Sequence, residues 1–205
     1  MISIRHYTTA DLEPLYAICL ATGDRGQDAT RLYAHAELIG HLYAGPYGLF
    51  QPDLAVIAED SDGVVGYAVS VTDTVAWEEL LEQSWWPTLR ERYTDPGLVS
   101  KVNRTADQSR AAIIHRPQTV PMAVAGPYPA HLHMNLLPRG RGKGTGAALF
   151  EAWARLASLR GAKAAHIGAN RNNRRAVRFW GKLGFTELAL DPTIGTRTVW
   201  MGRAL

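Results

Sequence analysis

The chain has 205 residues, 46% of them hydrophobic, one cysteine and a formal net charge of +3 at pH 7. That apolar content is enough to close a packed core. A lone cysteine excludes an intramolecular disulfide, and no apolar run approaches the ~18 residues of a membrane span. The N-terminal Met-Ile-Ser-Ile-Arg-His-Tyr lacks the apolar core of a signal peptide, so a cytoplasmic protein with no membrane partner is expected.

Taken in chain order, apolar alternation predicts a first strand over Ile2–Tyr7, then a helix capped by Asp11 and running to about Ala21. Cys19 lies among Leu15, Ile18 and Leu20 and reads as buried core rather than as a nucleophile. A polar loop at Asp24–Asp28 precedes a second helix over Ala29–Tyr43. Leu54–Glu59 and Val64–Val71 make a hairpin around Asp60-Ser61-Asp62-Gly63. Residues 73–127 then separate the third strand from the fourth. Trp77, Leu80, Leu81, Trp85 and Trp86 suggest a helix ending near Arg92, Val99–His115 a second, and Pro117, Pro121, Pro127 and Pro129 an extended return. Those aromatic residues, with Tyr93, either pack the segment onto the sheet or make it a lid over a site. His131–Leu137, Ala162–Ala169, Phe185–Leu190 and Ile194–Trp200 supply the remaining strands. There are no internal repeats and no low-complexity segments.

Residues 134–150 carry the most chemistry. A strand meets a turn at Pro138, then a loop in which Gly140, Gly142, Gly144 and Gly146 alternate with Arg139, Arg141 and Lys143, then a helix with Leu149, Trp153 and Leu156 at helical spacing. Glycines let backbone N–H groups approach a ligand, a helix N-terminus adds unsatisfied donors and partial positive charge, and the three cations add full charge. The combination describes a pyrophosphate cradle. No window supplies the Gly-x-x-x-x-Gly-Lys-Ser/Thr of a P-loop. Gly142-x-Gly144-x-x-Ala147 fits a loose dinucleotide fingerprint, but the strand over Ala162–Ala169 ends in Gly168-Ala169-Asn170, without the acidic residue that would hold a ribose. A ligand-free surface loop is a poor explanation for four alternating glycines, each of which adds entropy that folding must overcome.

A second motif lies downstream, Asn170-Arg171-Asn172-Asn173-Arg174-Arg175-Ala176-Val177-Arg178-Phe179-Trp180-Gly181-Lys182-Leu183-Gly184-Phe185. Helical projection puts Ala176, Val177, Phe179, Trp180 and Leu183 on one arc and Arg174, Arg175, Arg178 and Lys182 on the other. Asn173 suits the N-cap and Gly184 the C-terminus. The basic residues of the two motifs account for much of the positive charge through a pyrophosphate ligand with a further phosphate, so nucleic acid is not expected as a partner.

Arg141-Gly142-Lys143-Gly144-Thr145-Gly146 resembles the Arg/Gln-x-x-Gly-x-Gly/Ala coenzyme A loop of the GNAT superfamily of N-acetyltransferases, and Asn173 to Phe185 resembles that family's Asn-x-x-Ala-x-x-Phe-Tyr-x-Lys-Leu-Gly-Phe signature. Both general motifs fall within residues 141–185. Tyr128-Pro129-Ala130-His131-Leu132-His133-Met134-Asn135-Leu136-Leu137-Pro138 and Trp85-Trp86-Pro87-x-Leu89-Arg90-x-Arg92-Tyr93 are similar to a bacterial subgroup related to the acetyltransferase-like C-terminal domain of O-GlcNAcase. The resemblance implies an α/β (α+β) GNAT fold over residues 1–205, with a mixed, mostly antiparallel sheet of about seven strands flanked by helices and a helical insert at about 73–127.

It also implies an acetyl-CoA-dependent N-acetyltransferase acting on a primary amine by direct attack; the alternative is a catalytically impaired or inactive acyl-CoA-binding module. The fourth strand is expected to splay from the fifth. The pantetheine arm would then lie near Leu136 and Leu137, the pyrophosphate on backbone N–H groups from Gly142 to Ala147, and the cofactor site would comprise Leu136, Leu137, Arg141, Gly142, Lys143, Gly144, Thr145, Gly146, Ala147, Asn173 and Phe179. The family's usual proton-donating tyrosine falls at Trp180, whose indole can donate a hydrogen bond but not a proton near neutral pH. His131, His133 and Asn135 alternate and so share one face of the strand. The histidines read either as a proton relay for the amine or as a structural pair. Glu78, Glu79 and His115 of the insert are the next candidates for a base. His-x-His without a nearby carboxylate or cysteine gives no metal site.

Overall fold

The computed structural model describes residues 1–190 and 197–205. The chain opens with β1 (Ser3–His6), α1 (Leu12–Ala21), α2 (Leu38–Tyr43) and α3 (Gly45–Phe50), and then forms the hairpin β2 (Val56–Asp60) and β3 (Gly63–Val71). Between β3 and the next strand lie α4 (Thr74–Ser84), α5 (Trp86–Arg92), α6 (Ala106–His115) and the short α7 (Met122–Ala125). The C-terminal part runs β4 (Ala130–Leu136), α8 (Thr145–Leu159), β5 (Ala164–Asn170), α9 (Arg174–Lys182), β6 (Thr186–Glu187) and β7 (Thr198–Ala204). The strands make one seven-stranded sheet in the order β1-β2-β3-β4-β5-β7-β6. Every neighbouring pair is antiparallel except β4 with β5.

Strand alternation sorts apolar side chains to two cores. Ile57, Tyr67 and Val69 face a layer built from Leu15, Ile18, Leu38, Tyr47, Trp77 and Trp86. Their neighbours Ala58, Val65 and Ala68 face Leu149, Phe150 and Trp153 of α8 and Trp180 of α9. Trp153, fully buried, donates its indole N–H to Ser70 Oγ, which in turn donates to Leu54 O at 3.1 Å. A polar atom thus crosses the core with its hydrogen bonds satisfied.

Several predicted boundaries move, each for a local reason. The helix expected over Ala29–Tyr43 forms only from Leu38, behind a 3-10 turn at Thr30–Leu32. Asp107 of α6 accepts the Ala34 and His35 N–H groups at 3.0 and 2.9 Å, drawing away donors that a helix would use internally. The single helix expected up to Arg92 breaks at Trp85, because Pro87 lacks an N–H and disfavours helical geometry before it. Thr105 and Gln108 form a capping box that delays α6 to Ala106. Asp11 stands at the α1 N-cap position, but its carboxylate takes two 2.7 Å bonds from Arg5 and one from Thr8 N, and caps nothing in the helix. Phe185–Leu190 shrinks to β6, and β7 runs beyond the predicted Trp200 to Ala204. Residues 194–196 of that prediction lie outside the described residues. Asn173 accepts from Ala176 N at 3.1 Å, and Gly184 has φ 84°, as the α9 motif requires.

Candidate active site

The sheet opens at its parallel seam. β4 and β5 pair at Ala130 with Ala165 and at His131 with His166, and no pairing continues beyond. Leu137 N–H donates to Val65 O at 2.8 Å, so odd-numbered residues of β4 turn their backbone groups toward β3. Met134 and Leu136 consequently turn theirs toward the gap. Leu137, expected beside the pantetheine arm, turns its backbone toward β3, and Met134 shares the gap edge with Leu136.

A cleft of about 280 Å³ fills the gap, lined by Met134, Asn135 and Leu136 from β4, Gly142 from the loop, Gly146 from the first turn of α8, and Asn173, Arg175, Ala176, Phe179 and Trp180 from α9 and its N-cap. Gly144 caps α8 at φ 77°, a left-handed conformation that side chains rarely adopt. A Cβ at Gly146 would come within 2.9 Å of Phe179 Cε2, so this glycine lets α8 and α9 close on each other. The α8 N-terminus thereby faces the cleft with its backbone donors. Thr145 itself is 4% exposed and packs inward.

The cations of the loop divide. Arg141 donates from Nε to Leu136 O at 2.8 Å and from Nη2 to Gly26 O at 2.7 Å, tying the loop after α1 to β4. Burial and then nearby Arg175 lower its pKa. Arg139 bonds Asp60 and the carbonyls of Gly63 and Val64, bracing the hairpin. Lys143 and Arg175 are exposed and form no salt bridge among the described residues, although the charge of Lys143 helps to lower the Asp60 pKa. The opposite wall, Thr22, Arg25, Gly26 and Gln27, carried no signal in the sequence beyond a polar loop. Asn135 donates its side-chain amide to Thr22 Oγ1 on that wall.

A second cavity, about 870 Å³, lies along the same strand, lined by His131, Leu132 and His133 of β4 and by His166, Ile167 and Gly168 of β5. Tyr43, Tyr47, Trp77, Trp86 and Trp200 give it aromatic walls, and Glu78, Glu79 and Glu82 of α4 are its charged residues among those described, with no Lys or Arg among them. Glu82 is held by Arg90 in two bonds of 2.6 and 2.9 Å, and Glu78 Oε1 accepts from Val120 N at 2.7 Å. Half-burial raises the Glu78 pKa. The aromatic residues of the insert pack onto the sheet. Trp77 and Trp86 are core residues at 4% and 5% exposure, and they also wall the cavity. His115 lines neither cavity and bonds Tyr93 O.

The histidines differ from one another. His131 Nε2 meets Tyr47 Oη at 2.7 Å and Nδ1 meets Thr74 Oγ1 at 2.7 Å, while the Thr74 hydroxyl donates to Pro129 O at 2.7 Å. Thr74 must then accept from Nδ1–H and Tyr47 donate to Nε2, so both ring nitrogens of His131 are engaged. Burial, then His133 and His166, push its pKa well below the usual histidine value. His133 has no hydrogen-bond partner among the described residues; its ring sits against Tyr43 and Tyr47 at centroid distances of 5.6 and 5.4 Å. Burial and His166 lower its pKa to about 4. Trp180 is 7% exposed, packed with Phe150, Phe179 and Phe185, and nothing among the described residues accepts from its indole N–H. No group of three or more potential metal ligands forms among the described residues, and none of the described helices is long and apolar enough to cross a membrane.

The fold recurs in known structures. No family model matches the chain. The solved structure of SsHAT superposes with a TM-score of 0.89 at 32% identity, over 99% of this chain and 98% of that one. Protein O-GlcNAcase of Rattus norvegicus is 23% identical over 203 residues, 99% of this chain; the match spans 22% of that curated relative. The structure of yncA from Salmonella typhimurium, solved with its cofactor acetyl-CoA, shares the fold with a TM-score of 0.57 at 17% identity, covering 99% of this chain and 93% of that one. The chain belongs to the GNAT acetyltransferase superfamily, in the bacterial subgroup related to the acetyltransferase-like domain of O-GlcNAcase.

Proposed function

We propose that the protein is an acetyl-CoA-dependent N-acetyltransferase acting on a primary amine. The observation that carries this reading is the parting of β4 from β5 directly beside a helix N-terminus led by Gly142 and Gly144. The acceptor enters from the larger cavity. Met134 and Leu136 offer backbone groups to the pantetheine arm as an added strand would. N–H groups from Gly142 to Ala147 hold the pyrophosphate, with Lys143 and Arg175 adding charge. Asn173, whose Oδ1 caps α9, keeps its amide N–H₂ for the same arm. Gly146 and Phe179 set the width of the cleft. Trp180 shapes the thioester end and transfers no proton.

The backbone of β4 polarises the thioester carbonyl. Asn135 of the smaller cleft and His133 of the larger cavity, neighbours on one face of β4, bracket the reacting atoms. His131, with both nitrogens engaged, orders Tyr47 and Thr74 around them. Attack by the amine is direct, and the coenzyme A thiolate is a leaving group good enough to depart without a tyrosine.

A second reading, an acyl-CoA-binding module without turnover, is favoured by Trp180 standing where the family has its proton donor. Two experiments separate the possibilities. Thermal shift should respond to acetyl-CoA and not to NAD or NADP; a larger shift with NAD would reverse the cofactor assignment. Coenzyme A release with spermidine, a lysine-bearing peptide, glucosamine and kanamycin as acceptors should exceed the rate without amine. Tight acetyl-CoA binding with no release above that rate would establish the module instead.

A further inference from the structure

His166 lies on β5, across the seam from His131, and is 1% exposed. Its Nδ1 is 2.6 Å from Tyr128 O, a carbonyl that can only accept, so Nδ1 carries the proton and Nε2 a lone pair. Nε2 has no hydrogen-bond partner among the described residues. His166 lines the larger cavity, together with Ile167 and Gly168 of β5. The ring is held between His131 and Trp200, with centroids 5.6 Å away on each side. Of the three cavity histidines, His131 has no free nitrogen and His133 has nothing to fix its tautomer. His166 alone combines a defined tautomer with an available lone pair.

We propose that His166 is the general base, its Nε2 taking the proton from the acceptor's ammonium group. This assignment rests on the transferase reading above. One ammonium proton passes to Nε2, giving an imidazolium whose charge the Tyr128 carbonyl stabilises through Nδ1–H. The freed lone pair forms the nitrogen–carbon bond to the acetyl group. The carbon–sulfur bond breaks with its electron pair on sulfur. The second nitrogen proton leaves with this collapse and reaches sulfur through water, and His166 returns its own proton to solvent.

The titratable and charged groups facing His166 are His131 and His133 of β4, Tyr47 of α3, Tyr43 of α2, and Glu78, Glu79 and Glu82 of α4 across the cavity. Burial lowers the His166 pKa and the Tyr128 carbonyl opposes that, so the group is neutral and able to accept at pH 7.

The test uses the full chain and the four amines named above. His166→Ala should lower kcat by about 100-fold or more, remove the acidic limb of the kcat/KM profile and leave acetyl-CoA affinity by calorimetry unchanged. Added imidazole should restore part of the rate. Independently of turnover, long-range ¹H–¹⁵N NMR at pH 7 should show Nδ1 protonated and Nε2 bare at His166, with His166→Ala identifying the resonance. The proposal is overturned by full activity and an intact acidic limb in His166→Ala, or by an Nε2–H tautomer. If the wild-type protein binds acetyl-CoA yet acetylates none of the amines, the transferase reading falls first and takes the base with it; a wild type that turns over beside an unaffected variant removes the base alone.

Discussion

The two cavities that lie along β4 are built from different materials. The smaller is made of backbone: glycines, a helix N-terminus and a strand edge, with Arg25, Arg141 and Arg175 around it. The larger is made of side chains from β4, β5, β7, α2, α3, α4, α5, α6 and the return after α6, with carboxylates and histidines and, among the described residues, no Lys or Arg. A pyrophosphate looks much the same to every protein that holds it, so its site can be backbone of fixed shape. An acceptor differs from one protein to another, so its site is assembled from side chains that vary freely. The contrast also places positive charge where a polyanion is proposed and negative charge where an amine is proposed.

Acid should break the two sites unequally. His131, His133 and His166 line the larger cavity and none lines the smaller. Unfolded histidines take up protons near pH 6.5, whereas His133 in the fold does so only near pH 4. Above pH 6.5 both states are neutral and stability is fully kept. As pH falls between those values the unfolded chain binds more protons, and each such histidine removes up to about 1.4 kcal/mol of stability per pH unit. His41, also lowered to about 4 by burial, acts in the same direction. Urea midpoints at pH 7, 6 and 5 should step down, and His133→Gln should flatten part of the slope. Midpoints that do not move would show that the cavity already hydrates its imidazoles.

Gly144→Val attacks the backbone-built site alone. A β-branched residue at φ 77° is strained and displaces the helix donors, so acetyl-CoA should bind more weakly by at least about 2 kcal/mol. Unchanged affinity by calorimetry would mean that the loop is not the cradle. Arg141→Leu is milder: it removes the bonds to Leu136 O and Gly26 O and should weaken acetyl-CoA binding by about 1–2 kcal/mol. Amide exchange at Gly26 and Gln27 should speed up, which a residue acting only on phosphate would not cause. The smallest effect belongs to Trp180→Phe, which keeps the ring contacts to Phe150 and Phe185 and should leave acetyl-CoA affinity within about threefold. Trp180→Tyr should raise kcat by restoring a proton donor; no gain would show that the thiolate needs none.

Legibility in the sequence followed the same division. Gly142, Gly144, Asn173 and Gly184 are dictated by local conformation, so their pattern could be read along the chain before any tertiary contact was known. The alternation of His131, His133 and Asn135 was visible too, but not that Tyr47 and Thr74 would occupy both nitrogens of His131, because those partners are 84 and 57 residues away. His166 sat unnoticed in an apolar strand, since the bond that defines its tautomer reaches 38 residues back to Tyr128. The helix expected from Ala29 failed through a competitor on α6 that local propensity cannot register. The Arg25–Gln27 wall is short, polar and without a repeating pattern. It becomes part of a site only because Arg141 reaches it.

β4 also behaves as a reading frame. His131 and His133 point side chains at the larger cavity and, like Asn135, turn backbone to β3, while the Asn135 side chain lines the smaller cleft; the even residues turn side chains toward the α8 core and backbone toward the seam. Both sites are therefore written on one ribbon at a period of two. Inserting a single residue before His131 would send Leu132 and Met134 to the cavity and turn the histidines into the core, while moving the seam-facing amides to the wrong phase. Point substitutions on this strand can be compensated one at a time, whereas a length change would corrupt both sites at once. Lineages that diverge freely in the loops on either side should keep the spacing from Ala130 to Leu136 fixed.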